Sequence, residues 1–223
     1  MSQDTKRLQR LQRLLDPATT AVVTMELQRG IVGPAAMLPQ LADRVAEIGM
    51  MDIVGGLCTA ARAAGVRVVH NTAEHRSDDA GYTENCTIFA IGAKLARESG
   101  IRPTEIGSEG AKLMPQLGDD PRDIKVARMH GMSPFMSTSL DQMLRNLGIR
   151  TIIAAGVSVN MGITGLCLNG VDLGYQVVLP RDCVAGVPAD FADAAIQHTL
   201  SLLATVTTAA EIQSVWQHMA TTV

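Results

Sequence analysis

Apolar and polar positions change period along the chain in a regular order. Residues 5–15 place Leu8, Leu11, Leu14 and Leu15 on one face, with Arg7, Arg10 and Arg13 beside them, as in a short amphipathic helix. Such a helix either packs on its own domain or clasps a second subunit. After Pro17 the period shortens. Residues 21–25 form a mostly apolar run, as expected of a buried parallel strand. A loop with Gly30 follows, then helical patterns over 38–47 and 51–64, the second stopped by Gly65. Residues 66–70 predict a second strand, 71–85 a polar, turn-like stretch, and 87–98 a helix closed by Gly100. Further strands are predicted at 123–127, 151–156, 175–179 and 204–207. Helices are predicted at 138–147, 161–172, 189–202 and 209–219, with Gly148 and Gly174 as stops after the first two.

Strands and helices thus alternate six times. That order implies an α/β fold in three layers (α/β/α): a doubly wound, six-stranded parallel sheet with helices on both faces. No linker, low-complexity stretch or solenoid repeat interrupts it. The expected organisation is an N-terminal helix over 1–16 and one domain over 17–223.

Composition agrees and narrows the partners. The chain has 223 residues, 47% hydrophobic and 18% charged. A domain of this size buries roughly 70% of the surface its unfolded chain exposes, enough to stand without staples. The net charge of −3 favours neither nucleic acid nor an anionic membrane. Cys58, Cys86, Cys167 and Cys183 lie in separate segments with no C-x-x-C pair, which reads as free thiols in a reducing compartment. Apolar runs fall short of the about 20 residues of a membrane span. No apolar signal segment opens the chain, and Asp4 and Asp16 bracket the Arg-rich start, unlike a transit peptide, so a cytoplasmic location is expected.

In open parallel sheets ligands bind beyond the carboxyl ends of the strands, near the switch in strand order. The residues placed there are Glu26, His70 to His75, Arg128 to His130, and Ser158 to Gly162. Glu26 is the sharpest. A carboxylate directly after a buried strand is either a solvent-facing cap or a pocket group that needs a partner. A dinucleotide-binding oxidoreductase is disfavoured, because the turn after the first strand lacks G-x-G-x-x-G. No P-loop and no G-x-S-x-G elbow occur.

Several segments, in order, carry a resemblance. They are Thr20-Ala-Val-Val-Thr-Met-Glu-Leu-Gln-Arg-Gly30, Ser133-Pro-Phe135 with Thr138-Ser-Leu140 and Leu147-Gly148, Gly156-Val-Ser-Val-Asn-Met-Gly162, Gly174-Tyr-Gln-Val and Asp182-Cys-Val-Ala185. Together, over about residues 18 to 207, they resemble the isochorismatase-like (cysteine hydrolase) family. The resemblance implies an Asp, a Lys and a Cys. The Asp takes the thiol proton, the Lys supports the charges, the thiolate attacks an amide carbon, and main-chain N–H groups hold the oxyanion.

This sequence departs at all three places. Glu26 stands for the Asp. Met129 stands at the Lys position, flanked by Arg128 and His130, of which only the histidine exchanges protons near neutrality. Gly162 stands at the Cys position, so no thioester forms there. Cys167 lies roughly 140° around and 7.5 Å along a helix from Gly162 and does not substitute. Cys183, after the fifth strand, reads as a core or loop thiol.

True isochorismatases also carry glycine there and cleave a vinyl ether by acid catalysis, although they keep the Lys. By that likeness Glu26 would donate a proton and water would complete the hydrolysis. An acid in this role works best protonated, whereas a neighbouring Arg128 favours the ionised form.

The expected catalytic set is therefore Glu26, Arg128, His130 and Gly162, with Ser158, Asn160, Met161, Met129 and Phe135 binding substrate and the 157–162 turn supplying main-chain donors. Ser158 and Asn160 could instead cap the following helix. Met132 and Met136 extend a soft apolar wall. His70, Glu74 and His75 lack the Asp-x-His spacing by which nicotinamidases of the family bind metal, so no metal and no cofactor are expected. His198 and His218 read as structural or solvated. The expected function is non-covalent acid/base hydrolysis of a small metabolite at a vinyl ether or C–N bond. The alternative is a silent family member that binds a small molecule or serves an assembly role. The family implies a homodimer or homotetramer.

Overall fold

The computed structural model describes residues 3–221. Seven strands form one sheet: β1 (Thr20–Met25), β2 (Arg67–Ala73), β3 (Ile124–Arg128), β4 (Thr151–Val157), β5 (Gln176–Pro180), β6 (Val184–Ala185) and β7 (Thr205–Thr207). Every pairing is parallel, and the order is β3-β2-β1-β4-β5-β7, with β6 beside β4. The helices are α1 (Gln3–Leu14), α2 (Arg29–Val32), α3 (Pro39–Glu47), α4 (Met50–Ala63), α5 (Thr87–Ser99), α6 (Leu140–Asn146), α7 (Thr164–Asp172), α8 (Ala189–Ala195), α9 (Ser201–Leu203) and α10 (Ala209–Thr221).

Alternation along the strands divides the interior in two. Side chains of a strand point to opposite faces in turn. In β1, Val22 joins a core with Leu57 of α4 and Ile212 and Trp216 of α10, while Ala21, Val23 and Met25 join another with Leu144 of α6 and Leu166 of α7. All six residues of β1 are buried, as are all seven of β4. Helices on both faces make the expected three-layer α/β/α arrangement.

The departures from expectation are local. The sheet has seven strands rather than six, because Val184 and Ala185 pair with Gly156 and Val157 of β4. A two-residue strand carries no periodicity to read. β2 runs on to Ala73, so residues 71–73 belong to the sheet and not to the polar stretch. The helix predicted over 161–172 opens on a wider π turn that begins earlier, at Val159–Ile163, and the one predicted over 189–202 contains another at Ile196–Leu200. The N-terminal helix packs on its own domain. Leu11 and Leu15 are buried, the Trp216 indole donates to the Leu15 carbonyl at 2.9 Å, and Arg7 pairs with Glu211.

Candidate functional site

The chain builds outward from β1 in one direction through β2 and β3, then resumes on the other side of β1 with β4. The strand order therefore switches between β1 and β4, and a crevice must open beyond their carboxyl ends. A cavity of about 750 Å³ lies there. Its walls come from the ends of β1 (Glu26), β2 (Ala73, His75), β3 (Arg128, Met129, His130) and β4 (Ser158, Met161, Gly162), with α5 along one side. The two central strands meet closely at this end. Gly156 has φ +117°, and a Cβ there would fall 2.2 Å from the Met25 carbonyl oxygen, so only glycine fits.

Glu26 leaves the sheet at once. Its N–H still bonds the Asn71 carbonyl at 2.9 Å, but its φ is +56°, a left-handed conformation that costs a non-glycine residue about 1–2 kcal/mol. The turn brings its carboxylate to the cavity wall, where Arg128 Nη2 donates to Glu26 Oε1. The two side chains are 19% and 7% exposed, so the charges are largely withdrawn from water and compensate each other. Parallel strands stand roughly 4.8 Å apart, so a pair joining the ends of β1 and β3 must reach across β2. Two long side chains can do so. Alternation explains why the partner is Arg128 and not its neighbour: Arg128 is buried and Met129 is exposed.

Gln28 holds the adjoining backbone. It is fully buried; its amide nitrogen donates to the Ala73 and Ala111 carbonyls, and its oxygen accepts from the Ala73 N–H. The end of β2 is thereby tied to the turn that carries Glu26.

An aromatic corner completes the walls. Tyr82 stands edge-on to His75, Phe89 and His130, with ring centroids 5.1 to 5.7 Å apart, and Phe89 lies 4.8 Å from His130. His75 Nδ1 and Thr104 Oγ1 are hydrogen-bonded at 2.9 Å, and burial lowers the His75 pKa, so the ring is neutral at pH 7. No residue from 76 to 103 is buried, although Ile88, Phe89 and Leu95 of α5 border the cavity. Tyr82, Phe89 and His75 as a wall were not evident in the sequence. The one available signal was that a chain with 3% aromatic residues spends two of them within one polar stretch and the helix after it.

Gly162 lines the cavity with no room behind it. A Cβ there would lie 2.8 Å from the Val157 carbonyl oxygen and 3.1 and 3.2 Å from the Cε and Cγ of Met25. Cys167 and Cys183 are buried and do not line the cavity; burial pushes the first thiol up to about 12 and the second well above the usual thiol range. Neither is an activated nucleophile.

Of the other sequence-predicted site residues, Arg128, Met129, His130, Ser158 and Met161 line the cavity with Glu26 and Gly162, as does Met132. Phe135 and Asn160 do not. Phe135 is buried in the core and stacked on Tyr175 at 5.9 Å, because the Ser133–Asn169 hydrogen bond turns the loop onto α7. Asn160 donates to the Val187 carbonyl at 2.8 Å and braces the loop before α8. Ser158 precedes the helical turn without a side-chain cap bond. Met136 is exposed, outside the cavity.

His70, Glu74 and His75 diverge. His70 Nε2 lies 3.2 Å from Asp123 Oδ2 and its Nδ1 2.7 Å from Thr24 Oγ1, while Glu74 pairs with Lys125 at 2.5 Å. Asp123 is also held by Arg62, which donates to both its oxygens. Among the described residues no group of three or more His, Cys, Asp or Glu side chains is arranged to hold a metal ion. None of the described helices is long and apolar enough to cross a membrane.

The isochorismatase domain model matches residues 20–211. Among curated proteins the chain is similar to the isochorismatase family protein YecD of Escherichia coli O157:H7, 28% identical over 206 residues that cover 89% of this chain and 96% of that protein. It is 26% identical over 188 residues to the ureidoacrylate amidohydrolase RutB of Pseudomonas savastanoi pv. phaseolicola, covering 81% and 76%. An isochorismatase family protein from Burkholderia thailandensis has a similar structure, with a TM-score of 0.71 at 26% identity over 90% of this chain and 96% of that one.

Proposed function

Because this chain belongs to the isochorismatase family, we propose that it is a hydrolase of a small metabolite that works without a covalent intermediate. One observation carries the reading: Glu26 is paired with Arg128 on the wall of a cavity at the strand switch, with no activated thiol beside it. Glu26 takes a proton from water, and the water oxygen attacks the carbonyl carbon of a C–N substrate. The negative charge that forms on the carbonyl oxygen is held by main-chain N–H groups of the 157–162 turn that precede Met161, whose own N–H donates to the Ser158 carbonyl. The C–N bond then breaks, and Glu26 returns the proton to the leaving nitrogen. Arg128 holds the carboxylate in place throughout. Arg128 engages Oε1 alone and leaves the second carboxylate oxygen to accept from a water, the geometry of a base acting on a C–N substrate. The name of the related RutB, an amidohydrolase, points the same way.

The test is a screen of amide, imide and vinyl-ether substrates with the wild type and Glu26→Gln. The expected result is amide or imide turnover that falls by about 10²–10⁴-fold in the variant, the usual worth of acid/base catalysis. A second reading, a silent member that only binds a ligand, is favoured by the filling of the space behind Gly162 by Met25. No turnover together with saturable binding would establish it.

A further inference from the structure

One titratable ring on the cavity wall has no task in the chemistry above. His75 follows β2, the strand beside β1, and lines the cavity with Glu26 and Arg128. Burial is the main influence on the ring and keeps it neutral, but Glu26 raises its pKa and Arg128 lowers it, so both charges of the site reach it. The residue is clamped. Its N–H donates to the Thr104 carbonyl at 3.0 Å, its carbonyl accepts from the Ile106 N–H at 2.9 Å, and Tyr82 stands edge-on at 5.1 Å.

A neutral imidazole has one donor nitrogen and one acceptor nitrogen, and its partner decides which is which. Nδ1 faces the Thr104 hydroxyl at 2.9 Å. Thr104 is 6% exposed, and among the described residues its hydroxyl meets no other group. Buried polar hydrogens nearly always find an acceptor. The hydroxyl therefore donates to Nδ1, and the ring proton sits on Nε2. Nε2 has no hydrogen bond among the described residues, yet it is not one of the buried nitrogens that lack a partner, so it is open to the cavity.

The sheet order β2-β1-β4 sets His75, Glu26 and the 157–162 turn in a row across the strand ends. With strands roughly 4.8 Å apart, the outer two stand roughly 10 Å from each other. Glu26 in the middle faces the C–N bond, the turn faces its carbonyl, and His75 faces what the nitrogen carries on the other side.

We propose that His75 is a further substrate-contacting residue, an Nε2–H donor fixed by Thr104, and that it takes a second carbonyl borne by the leaving nitrogen, as in an imide. The proposal rests on the hydrolytic reading of the cavity. No proton leaves the ring. The hydrogen bond draws negative charge away from the nitrogen as the C–N bond breaks and Glu26 returns its proton.

Nitrogen NMR of labelled protein at pH 7 is expected to show His75 protonated on Nε2 and bare on Nδ1, and Thr104→Val is expected to lose that order. A proton on Nδ1 in the wild type overturns the proposal. NMR titration compares succinimide with 2-pyrrolidinone, rings alike but for one carbonyl. Succinimide is expected to bind about three- to tenfold more tightly, the worth of one neutral hydrogen bond. His75→Phe keeps a ring beside Tyr82 without a donor and is expected to bind the two alike, while His75→Gln restores a donor and part of the preference. Equal binding by the wild type, or binding of neither, overturns the proposal whether or not the variants fold, and so does a preference unchanged in His75→Phe. The two readings fail separately. Preferred binding of succinimide by a protein that hydrolyses neither amides nor imides removes the hydrolytic reading and leaves the His75 contact. Imide turnover with kcat and KM unchanged in His75→Phe removes the contact and leaves the hydrolysis.

Discussion

Gly162→Ala and Gly162→Cys probe the tight packing behind the cavity wall. The added Cβ meets the Val157 carbonyl oxygen at 2.8 Å and Met25 carbons at 3.1 and 3.2 Å. The methionine can swing aside, but Val157 is held in the ladder between β4 and β6 through its pairing with Ala185. Overpacking of this kind costs about 1–3 kcal/mol. Removing a glycine from a helical segment returns about 0.5–1 kcal/mol. Taken at the middle of each range, the net loss is about 1.2 kcal/mol. For a chain of this length each kcal/mol lowers Tm by about 2–4 °C, so calorimetry should show a fall of about 2–5 °C for Gly162→Ala. The cysteine variant should fall at least as far and form no thioester when incubated with amide substrates and analysed by mass spectrometry. Met129, which also lines the cavity, supplies no charge to activate the new thiol. An alanine variant as stable as the wild type, or an acylated cysteine variant, would refute the reasoning.

Two further outcomes follow from buried groups. Burial lowers the pKa of His70 below the ordinary value of 6.5, outweighing Asp123, which raises it. The unfolded chain thus binds a proton that the folded chain resists. Stability is full above about pH 6.5 and declines as pH falls through that value toward the lower folded pKa. Chemical denaturation at pH 7.5 and 5.5 should show the loss, and His70→Gln should shrink it; a stability that rises on acidification contradicts the assignment. Cys58, Cys167 and Cys183 are buried and Cys86 is half-exposed, so a chromogenic aryl disulfide should label one thiol quickly in the native protein and four after denaturation. Rapid labelling of more than one would contradict the packing.

Much of the fold was legible because the period of the apolar positions changes cleanly between strand and helix. Glu26 was legible for a related reason, being an acid at the end of a run that is buried throughout. The choice of Arg128 as its partner was harder. Residues 128 and 129 are adjacent, and only the pleat of β3 decides which of them is turned inward. Phe135 shows the limit of motif adjacency: it follows Ser133 in the chain, yet a hydrogen bond to Asn169, distant in sequence, directs the loop away from the cavity. Tyr82 and Phe89 reach the site because β2 continues to Ala73 and delivers His75 and the following segment over the strand ends. A polar stretch has no periodicity from which that placement could be read.

Residues 76–103 border the ligand space but send no side chain into either core. Substitutions on such a surface usually change stability by no more than about 0.5 kcal/mol. The roof can therefore be rebuilt while the sheet and the carboxylate–guanidinium pair beneath it stay as they are. Substitutions in that stretch are expected to alter what the cavity admits while leaving the Glu26–Arg128 pair in place.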